Sequence, residues 1–434
     1  MKLSLLFRKR WLWLYLPVML CSGLMLWLSA TVWLPLPPKS LLSASYLPTG
    51  GYTVTALRYR ELVEARGIRV DTITTEGIAS PLKRMLMPQS EVDVGFAQGL
   101  LAPPNAAGIV ALAAIERQPV WIFTRNAKII SFAELKGQRI AVASAAITSQ
   151  SVLELLLQHE QLKLTDISLS IKDTSAAAAA ALITGTVDAV VIVASGESDV
   201  VRLLTRDANI QMIGIDRVAS FVARESKLKP FVMPQGAIEI RGDIPSRDLA
   251  MVATNLHLLV QEKMHPALQR VLIDVAREIH EMPSFLQRQG EFPTVRDIDF
   301  PASRVAIAAA NGDRPWIESL LPYWWAQLAE LIFYAVLPIM LITVLILLWI
   351  PSLFNWKVNA ALQNFYGELK FLETDIEPTA SSRPIEIKNL LQRLDDIESK
   401  VTALDLPNSY ANRWYTLREH IARAREKLLN MRAR

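Results

Sequence analysis

Hydroxyl, amide and glycine residues cluster where apolar runs end, and these positions have chemistry to offer. The stretch "AVASAAITSQ" puts Ser144, Thr148 and Ser149 in a loop that opens a helix. Free N–H groups at a helix start attract anions, and hydroxyls add further donors. "LPTGGY" carries Thr49, Gly50, Gly51 and Tyr52, where paired glycines permit close backbone approach and the ring brings a donor. "TTEG" ends another run with Thr75, Glu76 and Gly77, "FAQG" with the amide of Gln98, and "VASGES" with Ser195, Gly196 and Glu197. Such groups hold a small molecule by hydrogen bonds and perform no covalent step. Each also has a plain structural role open to it. One of Ser144, Thr148 and Ser149 would cap the helix, Thr49–Tyr52 would be a tight turn, and Glu76 and Glu197 suit helix starts. No arginine stands in these loops as a carboxylate clamp.

Other chemistries find no seat. The five histidines, His159, His257, His265, His280 and His420, are scattered, without H-E-x-x-H or a zinc-type spacing. "ASGES" is not a G-x-S-x-G elbow, "AVASAA" lacks dinucleotide-loop glycines, and no phosphate-loop motif occurs. No catalytic, cofactor or metal residue is assigned, and a non-enzyme is expected. His265 reads as a surface residue; Asp93 and Asp188, each just before a strand, read as structural.

Two long runs bear no charge: Trp11 to Leu36 and Leu331 to Ile350. Both exceed the roughly 18 apolar residues needed to span a bilayer, and Trp11, Trp13, Trp33, Trp324, Trp325, Trp349 and Trp356 flank them, as rings that favour the headgroup level do. Lys2, Arg8, Lys9 and Arg10 precede the first run without an acid among them, which keeps that end cytoplasmic. A two-pass protein of the bacterial inner membrane follows, with both termini cytoplasmic and residues ~37–328 outside. The first run is longer than a signal-peptide core, and its best small-residue candidate, Leu28-Ser29-Ala30, has a bulky residue where a small one is wanted, so it reads first as an uncleaved anchor, with cleavage there and lipidation at Cys21 as the alternatives. Lys39 to Glu318 holds 29 basic and 30 acidic residues, a balance that gives nucleic acid nothing to bind. Cys21 is the sole cysteine, so no internal disulfide forms.

Between the spans, strand-like and helix-like runs alternate. Strands are expected at Leu41–Tyr46, "IRVDTITTEG", "VDVGFAQG", "GIVALAAI", "PVWIFTR", Arg139–Ala143, "ISLSIKD", "VDAVVIVAS" and "NIQMIGI". Helices are expected at Thr55–Arg66, up to Met85, Gln150–Glu160, Ala176–Ile183 and Asp199–Leu204. This order predicts parallel α/β sheets, whose ligands lie beyond the strands' carboxyl ends. From Asp248 to Met282 the pattern predicts one long amphipathic helix. In the tail, Ile387, Leu390, Leu394, Ile397, Val401 and Leu404 form one apolar seam, and Tyr410, Trp414, Leu417, Ile421, Ala424, Leu428 and Met431 a second. They predict either an intramolecular helical hairpin or a self-associating coiled coil.

The order "SASYLPTGGY", "VDTITTEGIASPLKRM", "VDVGFAQG", "SFAELKGQRIAVAS", "LITGTVDAVVIVASG" resembles the TAXI-type solute-binding proteins of TRAP transporters. The resemblance runs over about residues 40–300, with "ELKGQRIAVAS" its most diagnostic phrase, and "IVALAAIERQPVWIFTRN" resembles that family's crossover between lobes. It implies a type II periplasmic-binding-protein fold with two α/β lobes, a hinge crossed twice, and closure over a small, anionic organic solute passed to TRAP membrane subunits. The family's glycine-rich loop is absent at Ala143–Gln150, so ligand identity does not carry over. The expected organisation is residues 1–36 (N-terminus and first span), 37–328 (lobe 1 about 40–120 and 215–310, lobe 2 about 121–214), 329–354 (second span) and 355–434 (cytoplasmic all-α helical tail). The alternative is a membrane sensor or scaffold that couples the external domain to a cytoplasmic partner through that tail.

Overall fold

The computed structural model describes residues 3–46, 51–75, 79–144, 146–376, 384–403 and 410–433. In chain order the elements are α1 (Leu3–Leu28), β1 (Ser40–Tyr46), α2 (Gly51–Ala65), β2 (Arg69–Thr75), α3 (Ser80–Met85), β3 (Val94–Gln98), β4 (Ile109–Thr124), β5 (Arg139–Ala143), α4 (Ile147–His159), β6 (Ser168–Lys172), α5 (Ser175–Ile183), β7 (Ala189–Val193), α6 (Asp199–Arg206), β8 (Gln211–Met212), α7 (Val218–Val222), β9 (Lys229–Met233), β10 (Leu249–Gln261), α8 (Pro266–His280), α9 (Arg304–Ala310), α10 (Tyr323–Leu331), α11 (Leu337–Ile376), α12 (Pro384–Thr402) and α13 (Ala411–Ala433). The chain divides into two compact units, Leu36–Ala329 and Met1–Pro35 with Glu330–Arg434.

In the first unit the strands run in the order β2-β1-β3-β10-β4-β7-β5-β6, with β8 on β4 and β9 on β10. The βαβ segments β1–α2–β2 and β5–α4–β6 give parallel pairs. β10 lies antiparallel to β3, β4 and β9. β4 changes partner along its length. It pairs β10 as far as Pro119 and β7 from Val120 onward, both antiparallel.

Alternating residues of β4 feed helical layers on opposite faces, as the period of two requires. Val120 and Ile122 join α4's Val152, Leu153 and Leu156. Trp121 and Phe123, with stacked rings 6.1 Å apart, join Ala178, Leu182, Val201 and Leu204 of α5 and α6. Nearer the strand's start, Leu112 and Ile115 meet Tyr59 and Val63 of α2 and Leu268 and Leu272 of α8. Ile109 and Ala111 face α3's Leu82 and Met85.

Three sequence expectations change. Asp248–Met282 is not one helix but β10 followed by α8. Twelve of the thirteen β10 residues are buried. A strand covered on both faces loses the polar alternation that would mark it, so its apolar run mimics a helix face. "GIVALAAI" and "PVWIFTR" are one continuous strand, because Glu116, Arg117 and Gln118 find partners without leaving the extended conformation. His265 is half-buried and caps α8, its Nδ1 accepting from Ala267 N at 3.2 Å.

In the second unit α1 packs along α11, with Ser22 and Thr343 hydroxyls 2.7 Å apart. Two stretches, Tyr15–Trp33 and Tyr323–Ile350, are long and apolar enough to cross a membrane, and only 6% and 11% of them is buried. α11 runs on to Ile376, and its Val358, Leu362, Leu369 and Leu372 share one core with Ile387, Leu390, Leu394, Ile397 and Val401 of α12 and Leu417, Ile421, Ala424 and Leu428 of α13. The expected hairpin is therefore two arms of a three-helix core. Its polar edge is tied by Arg425 to Asp395 and Glu398 and by Trp414 Nε1 donating to Val401 O at 2.9 Å.

Candidate functional site

Glu116, Arg117 and Gln118 stand immediately before the point where β4 changes partner. A break of register against β10 falls there, since Leu256 faces Glu116 while His257 faces Ala114. Such a bulge re-aims side chains. Polar residues inside a buried strand cost free energy unless hydrogen-bonded, and the three find different partners. Gln98 Nε2, at the end of β3, donates to Gln118 Oε1 at 2.6 Å, and Gln118 Nε2 donates to Glu116 Oε1 at 2.6 Å. Ser195, after β7, lies on the same cavity wall as this carboxylate and works to lower its pKa. Arg117 turns away. It donates to Leu286 O at 2.8 Å, pairs with Glu291 at 2.5 Å, and lies over the rings of Phe231 and Phe292.

Glu116, Arg117 and Ser195 border a polar cavity of about 420 Å³. Its walls come from α2 (Thr55, Arg58), β4 (Glu116, Arg117), the loop after β7 (Ser195 to Ser198), α6 (Asp199, Arg202) and α8 with its following segment (Ile279 to Gln287). Gly196 is needed there. A Cβ on it would lie 2.4 Å from Phe285 Cζ and 2.7 Å from Leu286 Cδ1, so a side chain would push the loop out of the wall. A smaller, mainly apolar cavity of about 110 Å³ lies between α2 and the sheet.

The electrostatics of the polar cavity are lopsided. Burial is the main cause that lifts Glu116 to about 7; Gln118 opposes, the charge of Glu197 adds, and Ser195 opposes. Burial, then the nearby Arg58, holds His280 down at about 4, so its ring is neutral. Its Nε2 is buried and has no hydrogen-bond partner. Tyr59 Oη, which borders the smaller cavity, is likewise buried without one; burial, then Glu116, pushes it far up. Burial alone would raise Glu291, yet the Arg288 amide and Arg117 outweigh it and leave that carboxyl below its usual range. Arg202 is paired with Asp199 at 2.9 Å. Arg58, exposed on the wall, has no ion-pair partner among the described residues. The cavity thus offers one guanidinium, Arg58, without an ion-pair partner among the described residues, a carboxyl poised near neutrality, and the unsatisfied Nε2 of His280: equipment for binding a small polar organic molecule.

Of the residues expected from sequence, Ser195 lines this cavity, with Gly196 and Glu197 beside it. Glu197 precedes α6 rather than starting it, and its N–H donates to Ser195 Oγ at 3.3 Å. Gln98 joins through the amide relay. Thr75 is buried and donates to Ser45 O at 3.2 Å, which ties β2 to β1. Ser144 is exposed, its hydroxyl donating to Asp173 O at 3.3 Å. α4 begins three residues earlier than expected, so Thr148 and Ser149 are in its first turn, and no side chain caps it. Ser149 Oγ instead accepts from Val193 N at 3.0 Å, while Thr148 Oγ1 is buried without a partner. Gly51 and Tyr52 open α2; Thr49, Gly50 and Glu76 lie outside the described residues. Asp93 accepts from Leu42 N at 2.8 Å, and Asp188 pairs with Arg139 at 2.7 Å, so both hold strands together. Sequence reasoning missed Arg58, Glu116 and His280. The one available signal was "ERQ" within an otherwise apolar strand.

Residues 63–220 match the family described as NMT1/THI5 like, which is less than half of the chain. No curated protein sequence matches. Among solved structures, the chain is similar to an ancestral arginine-binding protein bound to arginine (14% identity, 56% of this chain and 92% of that one, TM-score 0.35). It is similar also to the GluR0 ligand-binding core from Nostoc punctiforme in complex with L-glutamate (15%, 55% and 92%, 0.35). A third likeness is to an ABC transporter/periplasmic binding protein from Brucella ovis with glutathione bound (12%, 54% and 65%, 0.37).

Proposed function

We propose that this chain is a membrane-anchored, extracytoplasmic solute-binding protein of the TAXI kind. It takes a small anionic organic solute between two lobes and passes it to TRAP-type membrane subunits. One observation carries the reading: the polar cavity of about 420 Å³ beside the β4 crossover, with Arg58 free on its wall. The lobes are the sheet regions on either side of the partner change in β4, and the strands β4 and β10 that run through both are the hinge. Ligand would favour a closed arrangement through contacts that the open one lacks. The NMT1/THI5-like match over residues 63–220 and the quoted motifs support this. The two apolar stretches, scarcely buried, support a membrane anchor, and Lys2, Arg8, Lys9 and Arg10 before the first support an arrangement with residues ~37–328 outside and both termini in the cytoplasm.

Calorimetry of the full-length protein in lipid nanodiscs, against dicarboxylates and amino acids, tests the binding claim. Flat titrations throughout would sink it. Reporter fusions after Gly137 and at the C-terminus test the address, and a cytosolic signal at Gly137 would reverse it. A second reading has its own observation: α11 continues without a break from an apolar stretch into the three-helix core. That continuity suits a sensor or scaffold whose tail docks a cytoplasmic protein. Crosslinking in native membranes separates the two, since transporter subunits favour the first and a cytoplasmic regulator the second.

A further inference from the structure

Glu116 has a hydrogen-bond donor but no ion-pair partner among the described residues. Gln118 Nε2 donates to its carboxylate and Ser195 lies beside it, whereas its chain neighbour Arg117 is committed to Glu291 and Leu286 O. Charged or titratable groups approach from each surrounding element. From α2 come Tyr59 and Arg58, from the loop after β7 Glu197, and from α8 the neutral His280. β3 supplies only the amide of Gln98, and the β10 residue opposite is Leu256. Besides the Asp199–Arg202 pair of α6, two carboxyls, Glu116 and Glu197, thus share the cavity wall with one uncommitted guanidinium, Arg58. An anion drawn in by Arg58 would add negative charge beside Glu116 and Glu197. Like charges in a site of reduced polarity are costly, and the least solvated carboxyl relieves the repulsion by taking a proton.

We propose that the cavity takes its organic anion together with one proton, which is held on Glu116. This rests on the anion-binding reading above and adds its regulation: affinity is set by external pH, and protonated Glu116 becomes a donor to the bound anion. No other reactant is needed, since the proton comes from water and returns there on release. The carboxyl already sits near 7 from its protein surroundings alone, so bound anion would raise it further, and the coupling falls within the physiological range.

The test is calorimetry of the full-length protein in nanodiscs with malonate, succinate and glutarate, in buffers of different ionisation heat. For a carboxyl at about 7, linkage gives uptake of about 0.9 proton per anion at pH 8 and an affinity that weakens about tenfold per pH unit above neutrality. Glu116→Gln abolishes both the uptake and the slope. Glu197→Gln removes one like charge and moves the onset of the slope to lower pH; it decides the matter should the first variant not fold. Anion bound without proton uptake, uptake undiminished in Glu116→Gln, or an onset unmoved in Glu197→Gln would each overturn the proposal. If none of the three acids binds at any pH, the anion reading itself falls and takes this inference with it.

Discussion

Replacing Glu116 by Gln should make the ligand-free protein more stable, and increasingly so as pH rises. The folded state holds this proton up to about 7 against an ordinary value of 4.5, with burial the leading cause. The unfolded chain releases it near 4.5. Below that pH both states are protonated and the group has no effect. Between the two values folding requires a proton that the unfolded chain has given up, so stability falls as pH rises, by ~1.4 kcal/mol per unit. Above 7 the full penalty is present, about 3 kcal/mol from the difference between those two values. Gln cannot titrate and fits the same amide contacts. Urea unfolding of both full-length proteins in one detergent, followed by tryptophan fluorescence from pH 5 to 8, reads the difference directly. Asp299, raised by burial to about 6, and His257, lowered by burial to about 4, titrate in both and cancel. The stability gap should widen steadily to pH 7 and then level. A gap that is constant with pH would refute the reasoning, and a gap of opposite sign would mean that ionised Glu116 has a cationic partner in the folded state.

Three further outcomes are expected. Gly99→Ala puts a Cβ 1.8 Å from Asp299 Oδ2 and 3.1 Å from Asp299 Cβ, so thermal unfolding should show a loss of about 1–3 kcal/mol, of the size seen for overpacking. Arg117→Ala and Glu291→Ala should couple in a double-mutant cycle by about 1–3 kcal/mol, since the pair is charge-assisted and partly buried; additive losses would mean that Arg117 acts only through Leu286 O and the two rings. Leu394→Ala empties a fully buried position in the three-helix core and should cost about 2–5 kcal/mol, seen as earlier loss of helical circular dichroism on heating.

The parts of the fold that could be read from sequence were those where local pattern and tertiary role agree. Short strands bounded by turn residues, such as Arg139–Ala143 and Ala189–Val193, and helices with one apolar face, such as Asp199–Arg206, needed no distant information. β10 needed it badly. Its partners β3 and β4 lie more than a hundred residues earlier in the chain, and only their presence turns "LAMVATNLHLLVQ" into a strand. The tail seams were legible because i, i+3 and i, i+4 spacing is local. Their third partner, Val358 to Leu372, was hidden because it continues an already apolar helix. For the site, the rule that ligands lie beyond strand ends drew attention to Ser195 and Gln98 and away from the middle of β4. Thr75 and Ser149 illustrate the opposite fate: hydroxyls at strand and helix ends that are spent on holding neighbouring strands.

The position of the cavity follows from the topology rather than from any one motif. β4 and β10 contribute to all four apolar clusters of the first unit, so each must cross the gap between two pairs of layers. At that gap Glu116 and Arg117 are half-buried and Gln118 is buried, so each polar group needs a partner. Pro119, which has no N–H to give, stands where the ladder with β10 ends and that with β7 begins. Gln118 is answered from β3, Glu116 from Gln118 of its own strand, and Arg117 from the segment after α8. Two of these bonds therefore tie β4 to other parts of the unit, and on the proposed two-lobe reading a rotation of one sheet region against the other would strain them in turn. On that reading a solute that replaces the Gln118 contact of Glu116 would act on the proposed hinge, and binding would be coupled to closure by the residues at which β4 changes partner.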